Sequence, residues 1–460
     1  MKWNNLSLHK IKWICSFTVV LLPFFCSISN IFQKYLAVTL WAIMMWMFEL
    51  LPEEIVAIML PGLYILFDIT NYATAFSAWT TSTPWITLGG LMIGGMIVKS
   101  GLVLRIAYKS LLLTKGSLKG IVWGIVLTCT IFTPLIPSIM AKVALLVPVV
   151  IGICKVLKVE AKSATASALM LVVFFALWST KKAFMTASTD SILTAGILEQ
   201  YLGVKITWLA WAKDMFIPGI LWMLVSIPLI YILRPQHLNL NKEYLKIEYR
   251  KLGKITIDEK KTVTLITALL ILLIFSSWHK LPEGVLMLGI GCLGFFPGIG
   301  LLKSDDFSKI QFKVVFFLAG AVTIGAVASS IGITESVINF VQPYFEQMNS
   351  YELVMSIYIF SILANFLLNP LALIATLMIP IANLCSNLGY SATIGGYSMI
   401  MGFNQALFPY EIAPLMLVYG FGYLKLTHLI KVMVFRIVAG IIFMTVVTYP
   451  YWLYIGLLDK

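Results

Sequence analysis

The sequence predicts an all-α polytopic membrane protein built from two similar halves. Hydrophobic residues make up 60% of its 460 residues and charged residues only 12%, whereas soluble domains carry about 25% charged residues. Apolar runs long enough to cross about 30 Å of hydrocarbon recur along the chain. Short motifs of the first part also return in the second part. The composition excludes a soluble globular domain, and the recurrence predicts an internal repeat.

Four matches in the same order define the repeat. Their offsets lie between 230 and 232 residues, so the register drifts by only two residues. The matches are Leu51-Pro52-Glu53 with Leu281-Pro282-Glu283, Gly95 with Gly325, Gly101 with Gly332, and Pro148 with Pro380. Two joined halves, often inverted relative to each other, are the usual plan of a secondary transporter.

Thirteen apolar runs cover most of the chain, and each is a candidate membrane segment. We place them near residues 12–30, 35–51, 54–68, 84–100, 121–154, 163–180, 214–233, 262–278, 284–302, 314–332, 355–385, 391–422 and 432–456.

The basic residues predict how these runs are oriented. The formal charge is +13, but Lys and Arg are spread over short loops, which is typical of topology signals and not of nucleic-acid binding. The positive-inside rule places these loops in the cytoplasm, together with the N-terminus. They are 2–12, 105–119, 155–162, 234–261, 303–313 and 425–436.

The neutral or acidic loops 68–84 and 335–352 then lie outside, as does the C-terminus. This arrangement requires that segments 121–154 and 355–385 each enter and leave the membrane on one side. We therefore predict two re-entrant hairpins and eleven crossings of the inner, or cytoplasmic, membrane.

The polar stretch 234–261 predicts a basic cytoplasmic linker between a first half, 1–233, and a second half, 262–460. Within residues 102–119, apolar positions alternate with Arg and Lys. This pattern indicates an amphipathic helix on the inner membrane surface, with an ordinary juxtamembrane loop as the alternative.

Metal and enzyme chemistry find no support in the sequence. The six Cys lie singly in apolar segments and the four His form no cluster, so neither a disulfide nor a metal site is predicted. We find no paired carboxylates and no nucleophile with a neighbouring base. We therefore expect no enzyme and no cofactor, with Na⁺ or H⁺ as the candidate coupling ions.

Interruptions rich in proline occur at matching places in the two predicted hairpins. The first runs from Pro134 to Ser138, and the second is Asn369-Pro370. Proline removes an amide donor, and unpartnered backbone groups are tolerated in a membrane only beside a cavity. Paired breaks indicate a substrate site, because broken helix ends direct amide dipoles at an anion. Ser138, Asn369 and Pro370 are therefore candidate binding residues.

Lys142 follows the first interruption and is flanked by apolar residues. An uncompensated lysine near the bilayer centre costs roughly 3 kcal/mol on insertion scales, so we expect it to line a polar cavity. There it would bind the substrate or stand in for a coupling cation. The alternative is a lysine that snorkels to the cytoplasm from a shallow hairpin.

A second polar cluster, 179–191, interrupts the continuation of the run at 163–180. It contains Lys181, Lys182, Thr189 and Asp190, which are expensive at membrane depth unless they face water. We interpret it as an interrupted helix around the site, with Thr189 and Asp190 as binding candidates. A plain extracellular loop is the alternative.

In the second half, polar residues between Asn404 and Pro414 break the run 391–422, and Glu411 is the carboxylate among them. Glu411 is a candidate proton carrier or counter-ion of Lys142. An interfacial glutamate is the alternative.

Glycine pairs in the first half, Gly89-Gly90 and Gly94-Gly95, are echoed by Gly320 and Gly325. Small residues at such spacing favour close helix packing over ligand binding.

At these positions the chain resembles the divalent-anion:sodium symporter family, which includes sodium-coupled dicarboxylate and citrate transporters and related exchangers. Residues 46–52, W-M-F-E-L-L-P, are similar to the family's W-x-T-E-x-I-P segment, and residues 88–107 are similar to its L-G-G…G-L-x-x-R-I-A stretch. The resemblance covers nearly the whole chain. It implies a scaffold domain, a mobile transport domain, and a homodimer that works by an elevator motion.

The hairpin signatures depart from the family pattern. In place of two Ser-Asn-Thr triplets and two Thr-Pro-Pro-Asn motifs, the chain has Ser138-Ile139-Met140, Pro370-Leu371-Ala372, Ala187-Ser188-Thr189-Asp190 and Ile412-Ala413-Pro414-Leu415. These changes remove oxygen ligands of sodium, and Lys142 adds a competing charge. We therefore predict weak or absent sodium coupling.

The leading hypothesis is a secondary active transporter of a small anion, either di- or tricarboxylate-like or inorganic. Its expected partners are the anion, membrane lipids and a second copy of the chain, and no nucleic acid. One alternative is a proton-linked exporter or exchanger that uses Glu411. Another is a transporter-shaped protein that no longer transports and acts as a sensor or as a membrane partner in a biosynthetic system.

Overall fold

A computed structural model describes residues 2–48, 50–114, 116–134, 136–238, 240 and 242–459. Helices dominate these residues, which confirms the predicted all-α membrane fold. Those of the first half and the linker are α1 (Lys2–Leu21), α2 (Asn30–Met47), α3 (Glu53–Leu66), α4 (Tyr72–Ala75), α5 (Ser82–Lys99), α6 (Leu102–Leu113), α7 (Leu118–Phe132), α8 (Ile139–Val156), α9 (Ala164–Thr180), α10 (Thr189–Leu202), α11 (Trp208–Ser226) and α12 (Lys242–Lys251).

The helices of the second half follow a similar order. They are α13 (Ile257–Ile274), α14 (Ser276–His279), α15 (Glu283–Leu293), α16 (Ser304–Phe307), α17 (Phe312–Ile331), α18 (Ile333–Val341), α19 (Ser350–Ala364), α20 (Pro370–Asn387), α21 (Ala392–Phe403), α22 (Ala413–Gly420), α23 (Leu426–Phe443) and α24 (Tyr449–Tyr454).

Six stretches of helix among the described residues are long and apolar enough to cross a membrane, and the bent pair α5–α6 makes a seventh if it is one span. Each predicted hairpin is a helix, a break and a helix: α7 and α8 in the first half, α19 and α20 in the second. The eleven membrane crossings expected from the sequence stay a prediction.

The repeated motifs occupy matching structural positions. Pro52 and Pro282 precede the first residues of α3 and α15. Gly101 and Gly332 connect α5 to α6 and α17 to α18 with φ of 82° and 77°, a left-handed conformation that glycine adopts without strain. The local signals that defined the repeat therefore mark helix starts and turns.

Close packing of α5 on α15 and of α3 on α17 joins the two halves. A Cβ atom at Gly89 would lie 2.2 Å from the carbonyl carbon of Met287, and one at Gly320 would lie 2.1 Å from the carbonyl oxygen of Ala57. The repeat offset relates Gly89 to Gly320 and Ala57 to Met287. The contact of Gly89 with Met287 therefore corresponds to the contact of Gly320 with Ala57, with the two halves exchanged. This exchange relates the halves by an approximate two-fold, and the inverted orientation of the repeat stays a prediction. The packing interpretation holds for Gly89 and Gly320.

The predicted amphipathic segment forms α6, which bends 66° away from α5. Arg105 differs from the expectation of a basic side chain at the membrane surface, since it is buried. Its Nε donates to Glu259 Oε1 at 2.5 Å, and its other N–H groups donate to carbonyl oxygens of residues 252–254. Arg105 therefore clamps the end of the linker to α6.

Some residues spanned by the sequence predictions lie outside the described residues. They are Glu49 of the segment 46–52, Lys115 of the amphipathic segment, Leu135 of the first interruption, Asn239 and Asn241 of the linker, and the end residues Met1 and Lys460.

We predict that Gly89→Ala destabilises the protein by about 1–3 kcal/mol, because the added methyl group forces α5 away from the α15 backbone. Gly289→Ala is the matched control, since a Cβ atom there meets nothing within 4 Å. The thermal unfolding midpoint of the detergent-purified variants checks this. Equal midpoints for the two variants would show that α5 and α15 are not in close contact.

Candidate functional site

A cavity of about 320 Å³ lies where four helices begin, and these helices are α8, α10, α20 and α22. The first residues of each line its wall, namely Ser138, Ile139, Met140, Thr189, Asp190, Asn369, Pro370, Leu371, Ile412, Ala413 and Pro414. The first N–H groups of a helix have no intrahelical partner, and the helix dipole places partial positive charge there. Such a cavity is suited to an anion.

Capping residues begin the two hairpin helices at this cavity. Ser138 Oγ accepts from the amide of Ala141 at 3.2 Å, and Asn369 Oδ1 accepts from the amide of Ala372 at 2.9 Å. Pro370 follows at the first helical position, where its missing N–H is tolerated. Ser138 and Asn369 are 231 residues apart, so the two halves place equivalent caps at one site.

Glu53, which sequence reasoning did not select, also lines the cavity. Its Oε1 accepts from Asn369 Nδ2 at 2.8 Å. The signal that could have identified it is its place in the repeated Leu-Pro-Glu motif at the start of α3.

The cluster 179–191 is an interrupted helix, as predicted. Two 3-10 turns, Lys181–Ala183 and Met185–Ala187, separate α9 from α10. Lys181 Nζ donates to Asp190 Oδ2 at 2.6 Å, and both side chains are buried. The alternative of an extracellular loop is wrong, because these residues lie inside the protein.

Lys142 lies behind the cavity and not on its wall, which corrects the expectation that it lines the cavity. Its buried Nζ donates to the carbonyl oxygens of Thr133 at 3.4 Å and Ala187 at 3.1 Å. Thr133 ends α7, and Ala187 precedes α10. Carbonyl groups at broken helix ends have no N–H partner and attract a cation. Because Lys142 is held there, it does not snorkel to the cytoplasm.

Arg436 has the corresponding place in the second half, and sequence reasoning assigned it to a basic loop. It is fully buried. Its Nη1 donates to the carbonyl oxygen of Asn404 at 2.8 Å and to Gln405 Oε1 at 3.1 Å. Asn404 ends α21, so each half places a buried cation on carbonyl groups of a broken helix. The apolar run that contains Arg436 was the signal for its burial.

Glu411 lines the cavity but does not pair with Lys142. Its Oε1 accepts from the amides of Leu407 at 3.1 Å and Phe408 at 2.7 Å, and its Oε2 accepts from Asn365 Nδ2 at 3.3 Å. The assignment of Glu411 as counter-ion of Lys142 is therefore wrong. Glu411 binds amide groups at the helix break of the second half, whereas Lys142 binds carbonyl groups at the helix break of the first half.

A second cavity, of about 400 Å³, adjoins the first and shares Leu91, Ser138 and Gln311 with it. It extends to Lys99, Asp306 and Lys309. Hydrogen bonds lower the pKa of Asp306 to about 2, and the one from Lys99 has the largest effect. The Lys99–Asp306 ion pair therefore persists at neutral pH. The second cavity connects the site with the loop 303–313, which the charge pattern places in the cytoplasm.

The sequence profile described as "Sodium:sulfate symporter transmembrane region" matches residues 4–458. The chain belongs to this family. The match confirms the resemblance inferred from the sequence, and the names of the family and its relatives are those of transporters and not of enzymes.

Two relatives illustrate the range of the family. The chain is 27% identical over 226 residues to the dicarboxylate transporter 1 of Spinacia oleracea chloroplasts, covering 48% of this chain and 40% of the relative. It is 23% identical over 401 residues to the L-tartrate/succinate antiporter of Escherichia coli K12, covering 81% of this chain and 78% of the relative. The chain thus spans less than half the length of the first relative.

The solved structure of the Alcanivorax borkumensis YdaH transporter has a similar fold. The TM-score is 0.57 at 14% identity, over 86% of this chain and 89% of that chain. At this identity the likeness concerns the fold alone. Among the described residues, no group of three or more His, Cys, Asp and Glu side chains could hold a metal ion.

In this member of the symporter family, we predict that Lys181→Met or Asp190→Asn alone lowers stability by about 3–5 kcal/mol, because either change leaves a buried group without its partner. The double variant Lys181→Met/Asp190→Asn removes both charges and should be more stable than either single variant. Thermal unfolding midpoints measure the coupling.

The exposed pair Lys246–Glu243 supplies the control. Lys246→Ala should change stability by about 0–1 kcal/mol, as for surface ion pairs in general. A double variant that loses the sum of the two single effects would contradict the buried pair.

Proposed function

We propose that this chain is a secondary transporter of a small dicarboxylate-like anion across the cytoplasmic membrane. The single observation that carries the proposal is the convergence of four helix N-termini, two from each half, on one cavity. The names of the dicarboxylate transporter and of the tartrate/succinate antiporter support it. The cavity volume, about 320 Å³, suits a small anion, since ligand pockets occupy about 300–1,000 Å³.

The arrangement suits an anion with two separated charges. In this proposal, one carboxylate binds at the first residues of α8 and α10, and the other at the first residues of α20 and α22. Ser138 and Thr189 lie on the first side. Lys181 and Lys313 are the cationic side chains of the cavity wall, and its carboxylates are Glu53, Asp190 and Glu411. Each carboxylate accepts a hydrogen bond from a side chain of the protein. Amide dipoles and fixed lysines attract an anion without a metal ion.

Sodium coupling is absent in this proposal. In broken-helix transporters, carbonyl groups at helix C-terminal ends hold the coupling cation. Here Lys142 and Arg436 already occupy such carbonyl groups. Because the charges of Lys142 and Arg436 are fixed to the protein, they remain at the site when it is empty. Its return across the membrane is then unfavourable without another anion, which favours exchange of one anion for another.

The remaining parts of the proposal follow from the family resemblance and the charge pattern. They are an elevator motion of a transport domain, a homodimer, a cytoplasmic N-terminus and an extracytoplasmic C-terminus. The second cavity supports access from the side of the loop 303–313, so this conformation is the inward-facing one in our proposal.

Proton linkage through Glu411 is the second candidate, because Glu411 lines the cavity. Three donors already hold its carboxylate. Protonation would weaken these hydrogen bonds, so we rank this mechanism below exchange on fixed cations.

Counterflow in proteoliposomes tests the proposed function. Vesicles loaded with unlabelled succinate should take up labelled succinate, malate or tartrate at the same rate in sodium as in potassium buffer. Uptake confined to sodium buffer would contradict the fixed-cation mechanism. A lack of counterflow with every di- and tricarboxylate and with sulfate would favour the non-transporting alternative.

We predict that Lys142→Ala reduces counterflow by at least roughly 10-fold while expression persists, because charged hydrogen bonds contribute about 1.5–3 kcal/mol each. The carbonyl groups of Thr133 and Ala187 lose their cation in this variant. Lys246→Ala, at an exposed lysine, is the control and should transport normally. Normal transport by Lys142→Ala would remove the fixed cation from the mechanism.

A further inference from the structure

Four cationic side chains lie buried around the broken helices: Lys142, Lys181, Lys182 and Arg436. Lys142 and Arg436 are held by backbone carbonyl groups, and Lys181 is paired with Asp190. Lys182 differs from them. Its Nζ is fully buried and has no hydrogen-bond acceptor among the described residues.

The position of Lys182 is fixed by close packing. Its carbonyl oxygen accepts from Trp211 Nε1 at 2.8 Å. A Cβ atom at Gly219 of α11 would lie 2.8 Å from the amide nitrogen of Ala183, so α11 lies directly against the turn that carries Lys182. The ammonium group therefore cannot reach water by a small rearrangement of this turn.

Two further donors without an acceptor lie near Lys182. Lys182 Nζ is 5.8 Å from the centroid of the Trp222 ring, and the guanidinium carbon of Arg436 is 4.9 Å from the same centroid. Trp222 Nε1 and Arg436 Nε also have no acceptor among the described residues. Two cationic groups thus lie at one indole ring, whose own N–H is a third donor without an acceptor among the described residues.

Two cations can remain side by side in this cluster only with a negative charge beside them, and not with a hydrogen-bond acceptor alone. The charges that act on Lys182 are those of Arg436, Lys181 and Asp190, and Asp190 is already paired with Lys181. A water molecule could accept hydrogen bonds but brings no counter-charge, and a lysine buried beside Arg436 without a counter-charge gives up its proton.

We propose that Lys182, Arg436 and Trp222 bind a small monovalent inorganic anion, chloride under ordinary salt conditions. A halide accepts hydrogen bonds and donates none, which matches a set made only of donors. It is also small, as a position among the packed helices α9, α11 and α23 requires. None of the three residues lines the 320 Å³ cavity, so this site is separate from that of the transported anion.

Thermal unfolding in chloride and in gluconate tests this site. At equal ionic strength and without any dicarboxylate, the detergent-purified protein should have an unfolding midpoint at least about 2 °C higher in potassium chloride or bromide than in potassium gluconate. Lys182→Met should abolish this difference. Lys142→Met is the matched control, because the Lys142 ammonium has two acceptors, and it should retain the halide difference.

Equal midpoints in chloride and gluconate for the unaltered protein would overturn the proposal, as would a halide difference that persists in Lys182→Met. If that variant does not fold, anomalous scattering from bromide-soaked crystals decides. A peak between Lys182 and Arg436 supports the site, and ordered water alone there contradicts it.

Succinate should add to the halide effect, and loss of the halide effect in saturating succinate would instead assign these residues to the substrate. A failure of counterflow leaves the halide result unaffected.

Discussion

Helices that break inside the membrane impose the constraint on which the rest of this structure depends. Each break leaves backbone N–H groups on one side and carbonyl groups on the other, and hydrocarbon offers partners to neither. The protein separates the two kinds of group. The N–H ends of α8, α10, α20 and α22 meet at a cavity, while carbonyl groups at the opposite ends take the cations of Lys142 and Arg436. Anion recognition and fixed positive charge are therefore two results of one arrangement.

Hydroxyl groups and close helix packing hold the breaks in register. Thr133 and Thr180 share a hydrogen bond of 2.8 Å, which ties the end of α7 to the end of α9. Thr186 Oγ1 donates to the Pro134 carbonyl at 3.0 Å, which ties the break between α9 and α10 to the first hairpin. Outside this region, the contact of Gly320 with Ala57 sets the distance between the halves. A rigid frame thus surrounds a site made of irregular backbone.

The sequence predicted most of the site because its signals there are local. Proline and capping residues mark a helix start without reference to the rest of the fold. Ser138, Thr189, Asn369 and Pro370 line one cavity together with Asp190 and Glu411, and their role in binding stays a prediction. Partners distant in sequence were not predictable. Glu259 binds Arg105 across 154 residues, and Asn404 binds Arg436 across 32 residues, so both arginines were assigned to surface loops. Lys142 was recognised as unusual, but its carbonyl partners depend on how two breaks pack together.

The central claim is that fixed cations take the place of a coupling ion while a dicarboxylate binds among the helix N-termini. The most direct test is an experimental structure of the protein with succinate in sodium buffer. Our interpretation predicts succinate between Ser138, Thr189, Asn369 and Ala413, with Lys142 Nζ still on the carbonyl oxygens of Thr133 and Ala187. A sodium ion on those carbonyl groups, with Lys142 displaced, would contradict it, and so would succinate bound away from this cavity.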